Sequence, residues 1–183
     1  MWRRWRRLSP DWWRGRGGYD VAAFSPDILR PGDALLYGPR GIVGWLIALK
    51  TWHRISHVEV YEGVNGTHKS VASRDGLGVN RYTLRTADLV MVLRPNMPFR
   101  QDLATEWFER IARGQRYDFK AILRFLWPSN KPDSDLDRQI CSAMAARYYR
   151  AGGLQAFSDT EDADKIAPFQ FAVSPVFDVV WRA

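Results

Sequence analysis

The chain contains a single cysteine, Cys141, in a position that suits nucleophilic chemistry. The residues at 134–137 are typical of a helix N-cap, and the pattern after them predicts a helix that runs to Arg150. Near a helix N-terminus, backbone N–H groups and the helix dipole lower the pKa of a thiol and favour the thiolate. The alternative is that Cys141 is a small buried apolar residue, which is the commoner role of an unpaired cysteine.

A histidine that could activate this thiol lies in a predicted strand at 56–61. Because strand residues alternate between faces, His57 and Glu59 share one face and Ser56 and Val58 share the other. An imidazole on that face could project towards a helix packed on the sheet, as a thiolate–imidazolium pair requires. The alternative is a structural histidine bonded to a backbone carbonyl. The three His and one Cys lack compact zinc-ligand spacing, so we expect neither a metal nor a cofactor.

Other strands and helices must position these two residues. Short apolar or alternating runs predict a compact antiparallel sheet. Its strands are expected at 34–37, 56–61, 68–73, 78–82 and 89–93. Apolar residues at helical spacing predict further helices at 42–52, 100–113 and 118–127. These elements indicate one α+β domain over 19–183, preceded by an arm over 1–18.

Composition limits the class of protein. The 183 residues are 46% hydrophobic and 14% aromatic, which is enough to bury a sizeable core and excludes general disorder. One cysteine rules out an intramolecular disulfide, and no apolar run approaches the roughly 20 residues of a transmembrane helix. Residues 1–18 lack the apolar centre of a secretory signal. We therefore expect synthesis in the cytoplasm and action at a cell envelope only after lysis or as part of a virion.

The net charge of +7 is concentrated in the N-terminal arm. Residues 1–18 contain six Arg, one Asp and four Trp, and they carry +5 of that charge. Interleaved Arg and Trp could contact an anionic membrane surface or a partner protein, or they could dock on the chain's own domain. Nucleic acid is the least favoured of these partners.

Six motifs occur along the body of the chain in a specific order. They are Pro-Gly-Asp-Ala-Leu-Leu at 31–36, Ile-Ser-His-Val-Glu-Val-Tyr at 55–61, Val-Leu-Arg-Pro at 92–95, Gln-Arg-Tyr-Asp-Phe at 115–119, Ile-Cys-Ser at 140–142 and Ala-Gly-Gly at 151–153. With His57 ahead of Cys141, this succession resembles the circularly permuted NlpC-type, papain-like cysteine hydrolases. These are related to bacterial cell-wall peptidases and to lecithin retinol acyltransferase-like enzymes. The resemblance spans about residues 31–180.

The resemblance implies a papain-like α+β fold, in which a small antiparallel sheet or partial barrel packs against helices. It implies that Cys141 is the nucleophile and that His57 is the general base. It also implies a polar third catalytic residue on the next strand, where Ser73 is the preferred candidate. Glu59, on the same strand face as His57, and then Asp75, in the following turn, are the alternatives.

The function implied is hydrolysis of an amide through a thioester in a phage or bacterial enzyme, with the peptide stem of peptidoglycan as substrate. Because the permuted branch includes enzymes acting on acyl chains, a lipid acyl hydrolase or acyltransferase is one alternative. A non-catalytic structural or adaptor subunit, for example of a phage particle, is another. Arg74 and Arg85 are candidates for binding an acidic substrate group. The aromatic residues Tyr37, Trp45 and Trp52 could line a groove or belong to the core.

Overall fold

A computed structural model describes residues 24–63, 66–118, 138–158 and 163–183. Its centre is a six-stranded sheet in which neighbouring strands are antiparallel. In spatial order the strands are β4 (Gly78–Thr83), β3 (Lys69–Arg74), β2 (His57–Tyr61), β1 (Ala34–Tyr37), β5 (Leu89–Pro95) and β8 (Phe177–Arg182). The two-residue strands β6 (Arg116–Tyr117) and β7 (Arg138–Gln139) form a separate parallel pair.

The α-helices of the described residues lie between and after these strands. They are α1 (Gly41–Thr51), α2 (Gln101–Trp107) and α3 (Cys141–Ala151). A π-helical turn at Phe108–Ala112 continues α2. Short 3₁₀ turns occupy Pro26–Ile28, Ala163–Lys165 and Pro168–Val173. The expected α+β class and antiparallel sheet are confirmed. No helix in the described ranges combines the length and apolar character needed to cross a bilayer.

Two apolar layers sandwich the sheet. Helix α3 packs against β2 and β3, and its residues form the main core with side chains such as Leu36, Val58 and Val60. Along β1, Leu35 and Tyr37 alternate with these and join a smaller cluster on the opposite face. The alternation of side chains along β1 therefore determines which of its residues pack on the side of the sheet that α3 covers.

The C-terminal end of α3 is fixed against the turn that precedes β1. A Cβ atom on Gly152 would overlap the ring of Phe99, so only glycine permits this approach. On the other side, Gly32 has a φ of +94°, and a Cβ there would lie 2.9 Å from Phe99 Cε1. The hydroxyl of Tyr149 donates to the carbonyl of Gly32 at 2.8 Å. These contacts fix the position of α3 and hence of its first residue, Cys141.

The five strands predicted from sequence are confirmed to within two residues at each end, and so is the helix at 42–52. The predicted start of the cysteine-bearing helix is wrong, because Arg138–Gln139 are extended in β7 and α3 begins only at Cys141. Strand β8 was not predicted. The predicted helix at 118–127 lies outside the described residues except for Asp118, and the arm at 1–18 lies outside them entirely.

Candidate active site

Cys141 is the first residue of α3. Ile140, the N-cap, has extended backbone angles that turn the chain from β7 into the helix. The first intrahelical hydrogen bond runs from Met144 N to Ile140 O at 3.0 Å, so the amides before Met144 have no acceptor within the helix. The sulfur accepts hydrogen bonds from the backbone N–H groups of Ser142 and Val58. The nucleophile candidate is therefore surrounded by backbone donors.

The Val58 amide reaches the sulfur because β2 and β3 separate at this end. Strand β2 begins at His57, yet its pairing with β3 is confined to Val60 and Tyr61. The Tyr61 N–H points to β1, so even-numbered amides of β2 point towards β3. At Val58 that amide finds Cys141 instead of a strand partner. The start of α3 thus fills the gap between the two strands.

The His57 imidazole connects the cysteine to a carboxylate. It is hydrogen-bonded to Cys141, and its Nε2 lies 3.0 Å from Oε1 of Glu59. Because the carboxylate occupies Nε2, Nδ1 is the ring nitrogen that remains for the sulfur. His57 and Glu59 are two residues apart on β2 and share one face, as strand alternation predicts. Their partners on β1 are Tyr37 and Leu35, so this is the face opposite α3 and not, as expected from sequence, the face that a helix covers. The structure therefore brings all three into one series of hydrogen bonds.

Glu59 is completely buried, and β3 supplies further partners for its carboxylate. Arg74 donates from Nε to Oε1 at 2.9 Å and from Nη2 to Oε2 at 3.0 Å. Ser70 Oγ also donates to Oε2. A bidentate guanidinium compensates a carboxylate that would otherwise be costly to bury. Arg74 itself lies over the Tyr82 ring at 4.2 Å, which further fixes its position.

Burial and neighbouring charges set the protonation of the three groups. Burial acts to raise the pKa of Glu59, but hydrogen bonds and charges from His57 and Arg74 lower it to about 2. Burial acts to lower the pKa of His57, yet Cys141 and then Glu59 raise it to about 9. Burial also acts to raise the pKa of Cys141, and the charge of His57 with the backbone donors lowers it. Neutral pH therefore favours a thiolate–imidazolium pair.

Glu59, rather than Ser73, faces the imidazole. Ser70 and Arg74 both reach Glu59 from β3, and residues an even number apart share a strand face. Ser73 therefore projects to the opposite face, where it is fully buried. Asp75 is exposed in the turn after β3 and lines a cleft. Of the candidates considered from sequence, Glu59 has the geometry of a third member.

A cleft of about 370 Å³ opens beside His57. Residues of α1, including Val43 and Ile47, form one of its walls. Its charged lining residues besides His57 are Arg40, Arg74, Arg85 and Asp75. Positive charge therefore predominates, which favours a ligand carrying an anionic group.

Two polar atoms in the cleft are buried without a hydrogen-bond partner among the described residues. They are Nε of Arg85 and Oγ of Ser56. The Arg85 guanidinium lies 4.5 Å from the centre of the Tyr37 ring, which holds it in place. Because an unpaired buried polar atom costs free energy, such atoms are suited to receive a ligand. Arg74 is bound to Glu59, so Arg85 is the better candidate for an acidic substrate group.

The three aromatic residues considered from sequence fall into two environments. Tyr37 is fully buried, and its ring centroid is 5.9 Å from that of His57. Trp45 and Trp52 are exposed, so they belong neither to the core nor to the lining of the cleft.

Comparison with known proteins gives a structural match only. No family model matches the chain, and no curated protein matches it in sequence. The chain is similar to the crystal structure of the metalloprotein YiiX from Escherichia coli O157:H7, DUF1105, with a TM-score of 0.66. Sequence identity is 16%, and the match covers 84% of this chain and 97% of YiiX. At this identity the similarity shows the fold alone. Within the described ranges, no group of three or more His, Cys, Asp or Glu side chains could hold a metal ion.

Proposed function

We propose that the chain is a cysteine hydrolase with a permuted NlpC-type, papain-like fold, and that it cleaves an amide bond through a thioester on Cys141. The observation that carries this proposal is the series of hydrogen bonds from Cys141 through His57 to Glu59, at the start of a helix. The lowered pKa of Cys141 and the raised pKa of His57 favour the thiolate and the imidazolium that nucleophilic catalysis uses.

The reaction would proceed in two stages. The Cys141 thiolate attacks the carbonyl carbon, and backbone amides in the first turn of α3 receive the oxyanion. His57 then gives its proton to the leaving amine as the C–N bond breaks. The neutral imidazole next removes a proton from water, which attacks the thioester and releases the carboxylic acid and the thiolate. Glu59 keeps the ring oriented and stabilises the imidazolium.

The substrate we propose is the peptide stem of peptidoglycan. Stem peptides carry carboxylates, and the cleft offers Arg40 and Arg85 besides Arg74, which is bound to Glu59. Arg85 has an unmatched Nε and lies in the same cleft as the unmatched Ser56 hydroxyl. A carboxylate bound there would satisfy these donors while the adjoining amide approaches His57 and Cys141.

A lipid acyl hydrolase or acyltransferase is the second candidate function. The observation that favours it is the apolar wall that α1 contributes to the cleft through Val43 and Ile47. An acyl chain could lie along this wall with its ester or amide carbonyl near Cys141. Both functions use the same thioester chemistry, so the substrate alone distinguishes them.

The test is to incubate the full chain with purified peptidoglycan and, separately, with phospholipid vesicles, and to analyse both by mass spectrometry. We expect new amino termini from peptidoglycan, an at least about 1000-fold loss in Cys141→Ser, and little change in the control Met97→Gln. Arg85→Gln should lower kcat/KM about tenfold or more. Release of fatty acid alone would favour the lipid function. No turnover of either substrate, with an unreactive Cys141, would favour a non-catalytic adaptor.

A further inference from the structure

Helix α1 and the residue after it expose an unusual amount of apolar surface. The exposed residues, here called the α1 face, are Ile42 (80%), Trp45 (65%), Leu46 (38%), Leu49 (66%) and Trp52 (88%). The first four recur at spacings of three and four residues, so they form one stripe of the helix. The opposite side of α1, including Ile47 and Ala48, is buried against the domain. Contiguous exposed apolar surface of this kind marks an interaction site.

Trp52 is held in an unfavourable backbone conformation. It is the C-cap of α1, with φ 54° and ψ 29°, in the left-handed region where a bulky side chain is strained. Its side chain is nevertheless the most exposed of the large apolar residues in the described part of the chain. Hydrogen bonds from the Trp52 and His53 N–H groups to the carbonyls of Leu49 and Ala48 hold this conformation, which leaves the indole outside the packed interior. An apolar or interfacial partner would bury the exposed indole.

Basic residues frame the α1 face. Arg40 precedes the helix, Lys50 lies in its last turn and Arg54 follows it, and all three are exposed. The sequence has no Asp or Glu between Asp33 and Glu59. Exposed Trp and Leu flanked by Lys and Arg are typical of helices that lie in the headgroup region of an anionic bilayer. The flanking cations would contact lipid phosphates at the same depth.

We propose that the α1 face docks on an anionic lipid bilayer. A second copy of the chain fits less well, because packing two α1 faces together would bring the basic residues Arg40, Lys50 and Arg54 close to their counterparts. Gly41 borders both the α1 face and the cleft beside His57. Docking would therefore bring the mouth of the cleft to the membrane surface. The proposal concerns binding and does not depend on the reaction proposed above.

The test is flotation of the full chain with vesicles of phosphatidylcholine, alone or mixed equally with phosphatidylglycerol. The variant Trp45→Gln/Leu49→Gln is compared with Met97→Gln/Ile111→Gln, whose wild-type side chains are similarly exposed at 54% and 58%. We expect the first pair to lower partitioning onto the mixed vesicles at least about tenfold, and the control to change it less than about twofold. The arm is intact in both variants, so its contribution cancels.

A second variant, Trp52→Gly, separates binding from folding. Glycine accepts positive φ without strain, so we expect this variant to raise the Tm while it weakens vesicle binding. Equal binding by the wild type and the Trp45→Gln/Leu49→Gln variant would overturn the proposal and assign any vesicle binding to another segment. A dimer seen by sedimentation velocity, and lost in that variant, would also overturn it, because a second copy would then cover the α1 face.

Discussion

Glu59, on β2, and Glu62, directly after it, are buried carboxylates that each bind an arginine. They differ in their other partners. Glu59 is bound by Arg74 from β3, and Glu62 is bound by Arg81 from β4. The remaining side-chain bonds of Glu59 go to Ser70 and to the His57 imidazole, which in turn contacts a thiol.

Glu62 makes its remaining bonds to helices. It accepts from the Tyr148 hydroxyl at 3.0 Å and from Thr105 Oγ at 3.1 Å, which joins α3 and α2 to the sheet. Burial, and then the charge of Glu62, raise the pKa of Tyr148, so this hydroxyl stays a donor at all ordinary pH values. The Glu59–Arg74 pair therefore acts on the charge of His57, whereas the Glu62–Arg81 pair connects two helices to the sheet. The difference arises because Glu59 contacts a titratable imidazole and Glu62 contacts hydroxyl groups that stay neutral.

The largest expected effect comes from substituting Glu59 and Glu62 in turn and comparing the two variants. Glu59→Gln and Glu62→Gln should each lower the free energy of unfolding by about 3 kcal/mol, because each leaves a guanidinium without its buried carboxylate. Only Glu59→Gln should also slow alkylation of Cys141 at pH 7, by about tenfold, since it removes a charge that stabilises the imidazolium. Urea unfolding and iodoacetamide kinetics measure the two effects. Equal slowing by both variants would show that the distinction is false.

The pKa of His57 also distinguishes the surroundings of Glu59 from those of Glu62. Since its pKa is raised to about 9, the ring should stay protonated through neutral pH in the wild type. In Cys141→Ala the largest raising influence is absent, so the pKa should fall, while Glu62→Gln should leave it unchanged. Histidine ring signals in NMR spectra recorded across pH 5 to about 10 report this directly. A wild-type midpoint near about 6.5 would mean that the thiolate does not act on the ring.

The smallest expected effect compares two serines of β3. Ser70→Ala removes a donor to the buried Glu59 carboxylate and should lower the free energy of unfolding by about 1.5 kcal/mol. Ser73→Ala should change the alkylation rate of Cys141 less than about twofold, because Ser73 projects away from His57. A tenfold loss of reactivity in Ser73→Ala would restore Ser73 as the third member of the site.

Local sequence patterns predict most of the sheet. Strands β1 to β5 contain short apolar runs or alternating apolar and polar residues, which can be recognised within a few consecutive residues. Such patterns were insufficient for the start of α3. Arg138–Gln139 form a polar two-residue strand whose partner, Arg116–Tyr117, is distant in sequence. The part of the chain after Pro175 reads Val-Phe-Asp-Val-Val-Trp-Arg-Ala, which is rich in β-branched and aromatic residues but does not alternate, and no strand is predicted there from the sequence.

The candidate site was partly predictable for a related reason. Strand alternation placed His57 and Glu59 on one face, and this local rule was the better guide to the third position than the resemblance, which pointed to Ser73. The roles of Ser70 and Arg74 depend on how β3 lies against β2, which is a long-range property. The even separation of Ser70 and Arg74 indicates one strand face, but it does not identify Glu59 as their partner.

The central claim is that His57 activates Cys141, and the pH dependence of Cys141 alkylation by iodoacetamide tests it most directly. We expect the wild-type thiol to react with an apparent pKa well below about 8.5, and His57→Ala to raise that pKa and slow the reaction at pH 7. A thiol that titrates at or above about 8.5, and that does not respond to His57→Ala, would contradict the claim. Cys141, which is buried with the residues of the main core, would then serve packing alone.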